Sequence, residues 1–569
     1  MDGPADAPPT PPAPGLRGPA GGPWRRWALG LLAIALPFLT FRLGAKDVWE
    51  ASEGRPLQSA REMRATGETL VQRTNGELDL TKPPLYAWAA RAAFAVGGDD
   101  EGVGRVPGVL AALACVGAVF VLGARTAGPR AGFLAGLVLL TTAKFAWQAR
   151  LAELETWLAA GVLWAFVGLD GALAAADAPA RRGPALLGGL ALGFAAAVKG
   201  PIAFLLVPPA IVAYAVATGR GRRLLAPAFV GALALGVLGL VAWPAAVGLR
   251  DRAGLDTLLA FARGDNVGHR RDPFYYLGQY PAFALPWTPW VLLGLAGCGA
   301  RGLPDAARAR AKLPLVAFGT AFLLQSALAA KQTHYLVPVV FPMGALLAGL
   351  VLDRALAARG DGRFGRGLAS ALPLAAVGLG LAAALTDVPS WGDATTFLRG
   401  TAVVVGAALA LAAVLVGVVV ARGASLRSVA GRTEAAFVVV LVVEAAVLGW
   451  VVPARDPQES SRAFVEAADR AVPADAPLGW TVFGSHSDYL WYFRDARVAR
   501  HGLPELLGAT EEATVARVRA FLRAGGPRYA IVTGAQADAL TADADVVRRD
   551  DAFQKKRRSV ALVRGREAP

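Results

Sequence analysis

Long apolar runs recur along the chain from Trp27 to Val452, each interrupted by Arg, Pro or Gly. They fall near 27–43, 104–124, 130–148, 155–175, 184–198, 201–218, 227–248, 281–299, 313–330, 335–352, 368–386, 400–421 and 434–452, about thirteen in all. Each is close to the roughly 20 apolar residues that cross a bilayer, so the pattern predicts an α-helical polytopic membrane protein. Residues 1–23 break this rhythm with Pro4, Pro8, Pro9, Pro11, Pro12, Pro14 and Pro19, which predicts a disordered tail ahead of an uncleaved first span. Two other segments lie outside the runs, a loop at 44–102 within the membrane region 24–452 and a tail at 453–569. In that tail, helical runs at 460–472 and 511–524 alternate with β-like runs at 478–483, 529–533 and 560–563, which predicts a small α/β domain.

Composition and charge change the picture in one respect. A formal charge of +15 over 569 residues would suggest a nucleic-acid partner in a soluble protein. Here the arginines gather in short loops: Arg25/Arg26, Arg125/Arg130, Arg181/Arg182, Arg220/Arg222/Arg223, Arg301/Arg308/Arg310 with Lys312, Arg354/Arg359/Arg363/Arg366 and Arg422/Arg427/Arg432. With thirteen alternating spans all of these share one side, the cytoplasmic one, and no nucleic acid is implied. The same count puts the N-terminus in the cytoplasm and carries the 44–102 loop and the tail to the outer side. Cys115 and Cys298 both lie in apolar runs, so neither predicts an external disulfide or a metal cluster.

The 44–102 loop is richer in ionisable groups than a connector needs, with Asp47, Glu50, Glu53, Arg55, Arg61, Glu62, Glu77 and Lys82. Part of it, around Arg61 and Glu62, also reads as a solvated amphipathic helix. Pro83-Pro84 ends any preceding helix and fixes an extended entry to the next, which pins Lys82 at the membrane surface. Midspan polar groups are few; Glu444 and Gln325 are the most obvious, and they favour a rival reading as a transporter or polyprenyl-lipid flippase. The basic run Lys555, Lys556, Arg557 and Arg558 reads as a solvated hairpin or a headgroup contact.

The run from Glu53 to Trp88, with its Arg-Glu-Met and Lys-Pro-Pro-Leu-Tyr, resembles the first outer loop of the GT-C glycosyltransferases in the aminoarabinose-to-lipid A transferase and protein O-mannosyltransferase-like group (glycosyltransferase families 39 and 83). Further matches follow in order: Ala149-Arg150-Leu151-Ala152-Glu153-Leu154-Glu155, Val198-Lys199-Gly200-Pro201, His269-Arg270 with Pro273-Phe274-Tyr275-Tyr276, and Lys331-Gln332-Thr333-His334-Tyr335-Leu336-Val337-Pro338. The resemblance implies a GT-C fold, a bacterial inner-membrane location with the tail in the periplasm, and inverting transfer of a sugar from a polyprenyl-phosphate donor to an envelope lipid, glycan or protein. It implies catalytic carboxylates at Glu53 and Glu155, and carrier-phosphate binding by Arg55, Lys82, Lys199, Lys331 and Tyr335.

A leaving phosphate does need cations where bilayer meets water, and an acceptor hydroxyl needs a carboxylate or a metal. Headgroup snorkelling by Arg55 and Lys82, an interface anchor at Lys199 and an aromatic-belt place for Tyr335 remain open alternatives. A divalent metal at His269 is a further implication, with a plain loop histidine as its alternative. Two departures mark this chain: Ser52 stands where the group has Asp beside Glu53, and Thr81 stands where an acidic residue precedes the loop lysine. Glu155 stands where an Asp is usual. These departures also fit a non-catalytic envelope assembly protein on the same scaffold.

Overall fold

A computed structural model describes residues 22–252, 254–256, 269–357, 429–481, 491–492, 503–550 and 559–566. Expectations for the N-terminal tail at 1–21, the runs at 368–386 and 400–421, and the basic cluster at 555–558 lie outside these residues. The helices are α1 (Gly22–Thr40), α2 (Ala51–Thr66), α3 (Leu85–Gly97), α4 (Glu101–Ala127), α5 (Pro129–Leu140), α6 (Ala143–Gln148), α7 (Leu154–Ala174), α8 (Ala178–Lys199), α9 (Ile202–Ala217) and α10 (Pro227–Arg250). After residue 268 come α11 (Tyr275–Phe283), α12 (Thr288–Leu295), α13 (Asp305–Ala327), α14 (Val340–Ala357) and α15 (Val429–Ala446). Each apolar run read from the described sequence falls on helix, although the runs at 130–148 and 281–299 are broken, between α5 and α6 and between α11 and α12. Among the described residues, five helices are long and apolar enough to cross a membrane by length and composition, including Glu101–Ala127, Leu154–Ala174 and Pro227–Arg250.

Small residues let these helices approach closely, since packing rather than hydrophobicity must hold helices together in lipid. A Cβ added at Gly168 of α7 would lie 2.6 Å from the Cα of Gly188 in α8, and one at Gly193 of α8 would lie 2.7 Å from the carbonyl oxygen of Leu235 in α10. Basic residues finish helix ends on one side of the bundle, where unpaired carbonyls and the helix dipole both favour cations. Arg223 donates to the carbonyls of Leu173 and Ala175 at 2.6 and 3.0 Å, and Lys312 to that of Ala217 at 2.8 Å. At the opposite end, Arg150 donates to the carbonyls of Phe38, Leu39 and Phe41, closing the end of α1.

The loop between α1 and α4 is a compact unit of α2, α3 and a hairpin of β1 (Gln72–Thr74) and β2 (Glu77–Asp79). Asn75 and Gly76 turn the hairpin with φ of 61° and 77°, the left-handed pair such a two-residue turn requires. The reading of Arg61 and Glu62 as a solvated face is corrected: α2 is helical, but both residues are buried. Glu62 accepts from Gln58 Nε2 and from the backbone N–H groups of Asn75 and Gly76, so it ties helix to hairpin.

The C-terminal segment packs against this loop and touches α2 at Arg61. In that segment α16 (Arg462–Ala471), α17 (Glu511–Arg523) and α18 (Gly534–Ala539) accompany a four-stranded sheet of β3 (Leu478–Trp480), β4 (Tyr529–Thr533), β5 (Ala544–Asp550) and β6 (Val560–Gly565). Its order is β3-β4-β6-β5, with β3 parallel to β4 and the other pairs antiparallel. Strand β5 escaped the sequence reading because it is an edge strand carrying Asp545, Arg548, Arg549 and Asp550 in place of an apolar stripe. Trp491 lies under the guanidinium of Arg61 at 4.1 Å and donates to Glu101 at 2.9 Å, while the Tyr492 hydroxyl accepts from Val48 N–H at 2.6 Å.

Glu53 is the node of this assembly. One carboxylate oxygen accepts from Arg105 Nε at 2.7 Å and from the Ala152 N–H at 3.2 Å; the other pairs with Lys46 at 2.9 Å. Arg105, itself 0% exposed, also donates to the carbonyls of Leu43, Lys46 and Asp47. Burial would raise the pKa of Glu53, but the charges of Arg105 and Lys46 outweigh it and bring it down to about 2. The stabilisation is therefore fully present above the ordinary value of 4.5 and is lost only as pH falls toward 2. Glu53→Gln would leave two buried cations without a counter-charge, and thermal unfolding in lipid nanodiscs is expected to show a loss of about 3–5 kcal/mol.

Candidate active site

A cavity of about 470 Å³ opens where α2, the β2–α3 turn, the start of α7, the end of α8 and the segments around His269 and Tyr335 meet. Sequence-distant motifs converge on it: Ser52 and Arg55 from α2, Thr81 and Lys82 from the turn, and Glu155 and Lys199 from the facing ends of α7 and α8. Gln332, His334 and Tyr335 close another side.

Lys82 is held at its backbone. Its carbonyl accepts from Gln72 Nε2 at 2.8 Å, and Pro83-Pro84 leads directly into α3. Burial lowers the Lys82 pKa, the Lys199 charge lowers it further, and Glu155 opposes both. Arg55 reaches Asp79 at 3.7 Å, and Asp79 also accepts from the Thr81 hydroxyl at 2.5 Å. Lys199 ends α8 one residue before Gly200, whose φ of 70° turns the chain away. Its ammonium pairs with Glu155 and stands 5.0 Å from the centre of the Tyr335 ring. His334 Nε2 lies 3.6 Å from the same carboxylate oxygen. Burial lowers its pKa to about 4, with Glu155 opposing and the lysines assisting, so at neutral pH it faces Glu155 uncharged.

The charged residues in the wall are thus Arg55, Lys82 and Lys199 against Asp79 and Glu155. Two residues expected here are placed elsewhere. Glu53 lies behind the wall, 1% exposed, between Arg105 and Lys46. Lys331 is buried with its ammonium on the carbonyls of Arg271 and Leu328, and its backbone N–H donates to the His269 carbonyl at 3.1 Å. His269 does line the cavity, on a backbone with φ of 59°. The donor set around it does not fit a divalent metal: Thr81 offers a hydroxyl where the resemblance leads one to expect a carboxylate, and among the described residues no three His, Cys, Asp or Glu side chains converge.

Glu153 is the group the sequence reading missed. It sits within the quoted run of residues 149–155 but has no special spacing. The structure buries it behind Ser52, with Gln148 Nε2 donating to one oxygen and Ser52 Oγ donating to the other at 2.6 Å. Burial and then the Glu155 charge raise its pKa to about 7, while Ser52 and Lys144 pull it down.

Comparisons with known proteins bear on this geometry. A family model described as dolichyl-phosphate-mannose-protein mannosyltransferase matches residues 81–245. An undecaprenyl phosphate-alpha-4-amino-4-deoxy-L-arabinose arabinosyl transferase from Pseudomonas fluorescens is 27% identical over 59% of this chain and 61% of its own length. Its counterpart from Edwardsiella ictaluri is 27% identical over 64% of this chain and 66% of its own. The chain therefore spans a little under two thirds of these relatives. Crystal structures of ArnT from Cupriavidus metallidurans, in the apo state and bound to undecaprenyl phosphate, superpose with TM-scores of 0.75 and 0.74 at 22% identity, covering 95% and 94% of this chain and 98% of each of theirs. The resemblance carried by the loop motifs thus holds at the level of the whole fold: this chain has the architecture of the GT-C glycosyltransferase group that includes the aminoarabinose transferases.

Proposed function

We propose that the protein is a membrane glycosyltransferase that moves a sugar from a polyprenyl-phosphate donor to an extracytoplasmic envelope acceptor, with inversion at the sugar carbon. The observation that carries this reading is the cation-rich cavity formed by helix ends beneath the α2–α3 loop, in a chain whose fold matches a structure bound to undecaprenyl phosphate. A sugar phosphodiester carries one negative charge and releases a phosphate monoester that carries up to two. Cations already in place therefore stabilise the products and the approach to them more than the donor.

In this reading Lys82 and Arg55 hold the carrier phosphate, with Lys199 and Tyr335 closing around it. Glu155 keeps Lys199 in place and offers its remaining lone pairs to the sugar or the acceptor. Glu53 and Lys331 support the site from behind, the first as a structural carboxylate and the second by joining the His269 and Tyr335 segments. A transporter would place its polar groups across the midplane, whereas this cavity lies at one end of α7 and α8. The topology in keeping with the arginine pattern has thirteen spans, the N-terminus in the cytoplasm and residues 453–569 as a periplasmic α/β domain on a bacterial inner membrane.

Reconstitution into proteoliposomes with radiolabelled undecaprenyl-phosphate aminoarabinose or undecaprenyl-phosphate mannose tests the reading. Label transferred to lipid A, envelope glycan or protein is expected; no transfer from either donor to any of the three sinks it. Lys82→Ala is expected to lower kcat by about 100- to 1,000-fold, the usual loss when one preorganised charge-stabilising group is removed. Phosphate binding requires the Lys82 ammonium, so its lowered pKa predicts that activity declines on the alkaline side at a pH below the ordinary lysine value of 10.5. A kcat profile against pH in wild type and Lys82→Arg checks this, because the arginine variant should keep its activity to higher pH.

A further inference from the structure

We propose that Ser52 and Glu153 form the proton-accepting pair of the transfer reaction, and that the acceptor is accordingly a hydroxyl rather than a phosphate group. This rests on the glycosyltransferase reading and extends it to the acceptor's chemistry.

At position 52 the chain presents a hydroxyl to the cavity, and the adjacent Glu53 is locked behind the wall by two cations. Glu155 faces the cavity, but Lys199 holds it and the uncharged His334 stands beside it. Ser52 Oγ, in contrast, donates to a carboxylate that, among the described residues, has no cation within ion-pair distance: Glu153 Oε1, at 2.6 Å. Glu153 also occupies the N-cap position of α7 without capping it, since its side chain makes no bond to the first-turn N–H groups. Its oxygens turn instead to Ser52 and Gln148. A buried carboxylate at 5% exposure, drawn away from its local capping role toward a hydroxyl in a cavity wall, is arranged to receive a proton through that hydroxyl.

The charges that face Glu153 come from several elements: Glu155 on α7, Lys144 on α6 and Glu53 on α2, with Lys82 in the β2–α3 turn and Lys199 at the end of α8 as further cations. The two glutamates, together with burial, make it a stronger base than an exposed carboxylate, and its pKa near 7 suits proton transfer at neutral pH. The acceptor oxygen bonds to the anomeric carbon as its proton passes to Ser52 Oγ, and the proton already on Oγ moves to Glu153. The bond between that carbon and the phosphate oxygen breaks, and its electron pair leaves on the phosphate beside Lys82 and Arg55. A phosphate acceptor is already ionised at neutral pH and has no need of such a pair; a sugar, lipid or Ser/Thr hydroxyl does. Glu153 acts through Ser52 and is a positioning and proton-holding residue, while Ser52 is the group that touches the acceptor.

The test uses the full chain in proteoliposomes with the same two labelled donors, and compares wild type, Glu153→Gln, Ser52→Ala and the double variant Ser52→Asp/Glu153→Gln. Because the carboxylate form is the acceptor, wild-type kcat should rise with pH through a limb near 7. Glu153→Gln and Ser52→Ala should each lose about 100-fold in kcat with donor KM unchanged, and the limb should vanish in Glu153→Gln. The double variant restores a carboxylate in the wall and should recover most of the rate, with its limb moved to lower pH. Label should appear on hydroxyl acceptors. Wild-type kcat and limb retained in Glu153→Gln, a double variant no faster than Glu153→Gln, or transfer confined to phosphate groups would each overturn the proposal. Failure of wild type to transfer from either donor is a different result, and it overturns the glycosyltransferase reading itself.

Discussion

The loop between α1 and α4, and the cavity beneath it, depend on a single buried carboxylate with two cations. Removing Glu53, Arg105 and Lys46 from water is expensive, and their mutual attraction offsets that only because the remaining valences are filled: Arg105 by three backbone carbonyls and Glu53 by the Ala152 N–H. Such an arrangement tolerates one geometry. It fixes the α1–α2 connection, α2, α4 and the 149–153 loop against one another, so Ser52 and Arg55, immediately beside Glu53 in sequence, are aimed at the cavity by a contact in which they take no part.

A second constraint acts from outside. By sequence α2 is polar, yet ten of its sixteen residues are buried between α3, α4 and the hairpin, and the C-terminal segment closes over the same loop, reaching α2 where Trp491 meets Arg61. The contacts are mainly polar: Asp456 accepts from Asp47 N–H at 3.0 Å and Trp49 Nε1 at 2.6 Å, Arg462 pairs with Asp47 at 3.1 Å, and Asn75 Nδ2 donates to the Leu503 carbonyl at 2.8 Å. Polar bonds of this kind specify position more than they add stability. The tail thus acts as a brace that keeps the loop seated on the helix ends.

The membrane helices were legible in the sequence because each must present a long apolar run to lipid, and that constraint leaves no other pattern. The breaks between α5 and α6 and between α11 and α12 were not, since hydropathy is blind to a chain that pauses inside an apolar run. Charged strand β5 was hidden for the opposite reason, having no buried stripe to betray it. Among the site residues, the motifs located Arg55, Lys82, Glu155, Lys199, His269 and Tyr335, all of which line the cavity. Motif spacing cannot say which way a side chain turns, so Glu53 and Lys331 looked like cavity residues although burial and backbone partners claim them. Glu153 is the converse, two residues from a motif carboxylate and meaningful only once α2 is folded against the 149–153 loop.

One feature of the cavity wall bears on turnover as well as on chemistry. Three cations face two carboxylates there, and each carboxylate already pairs with one of them, Asp79 with Arg55 and Glu155 with Lys199. On the proposed reaction, the spent carrier leaves with more negative charge than the donor brought in, so the wall that assists bond breaking also retains the empty lipid. The pace in a cell would then follow how quickly spent carrier is withdrawn from the surrounding bilayer, which makes the protein responsive to the membrane's store of loaded and unloaded lipid without any separate regulatory part.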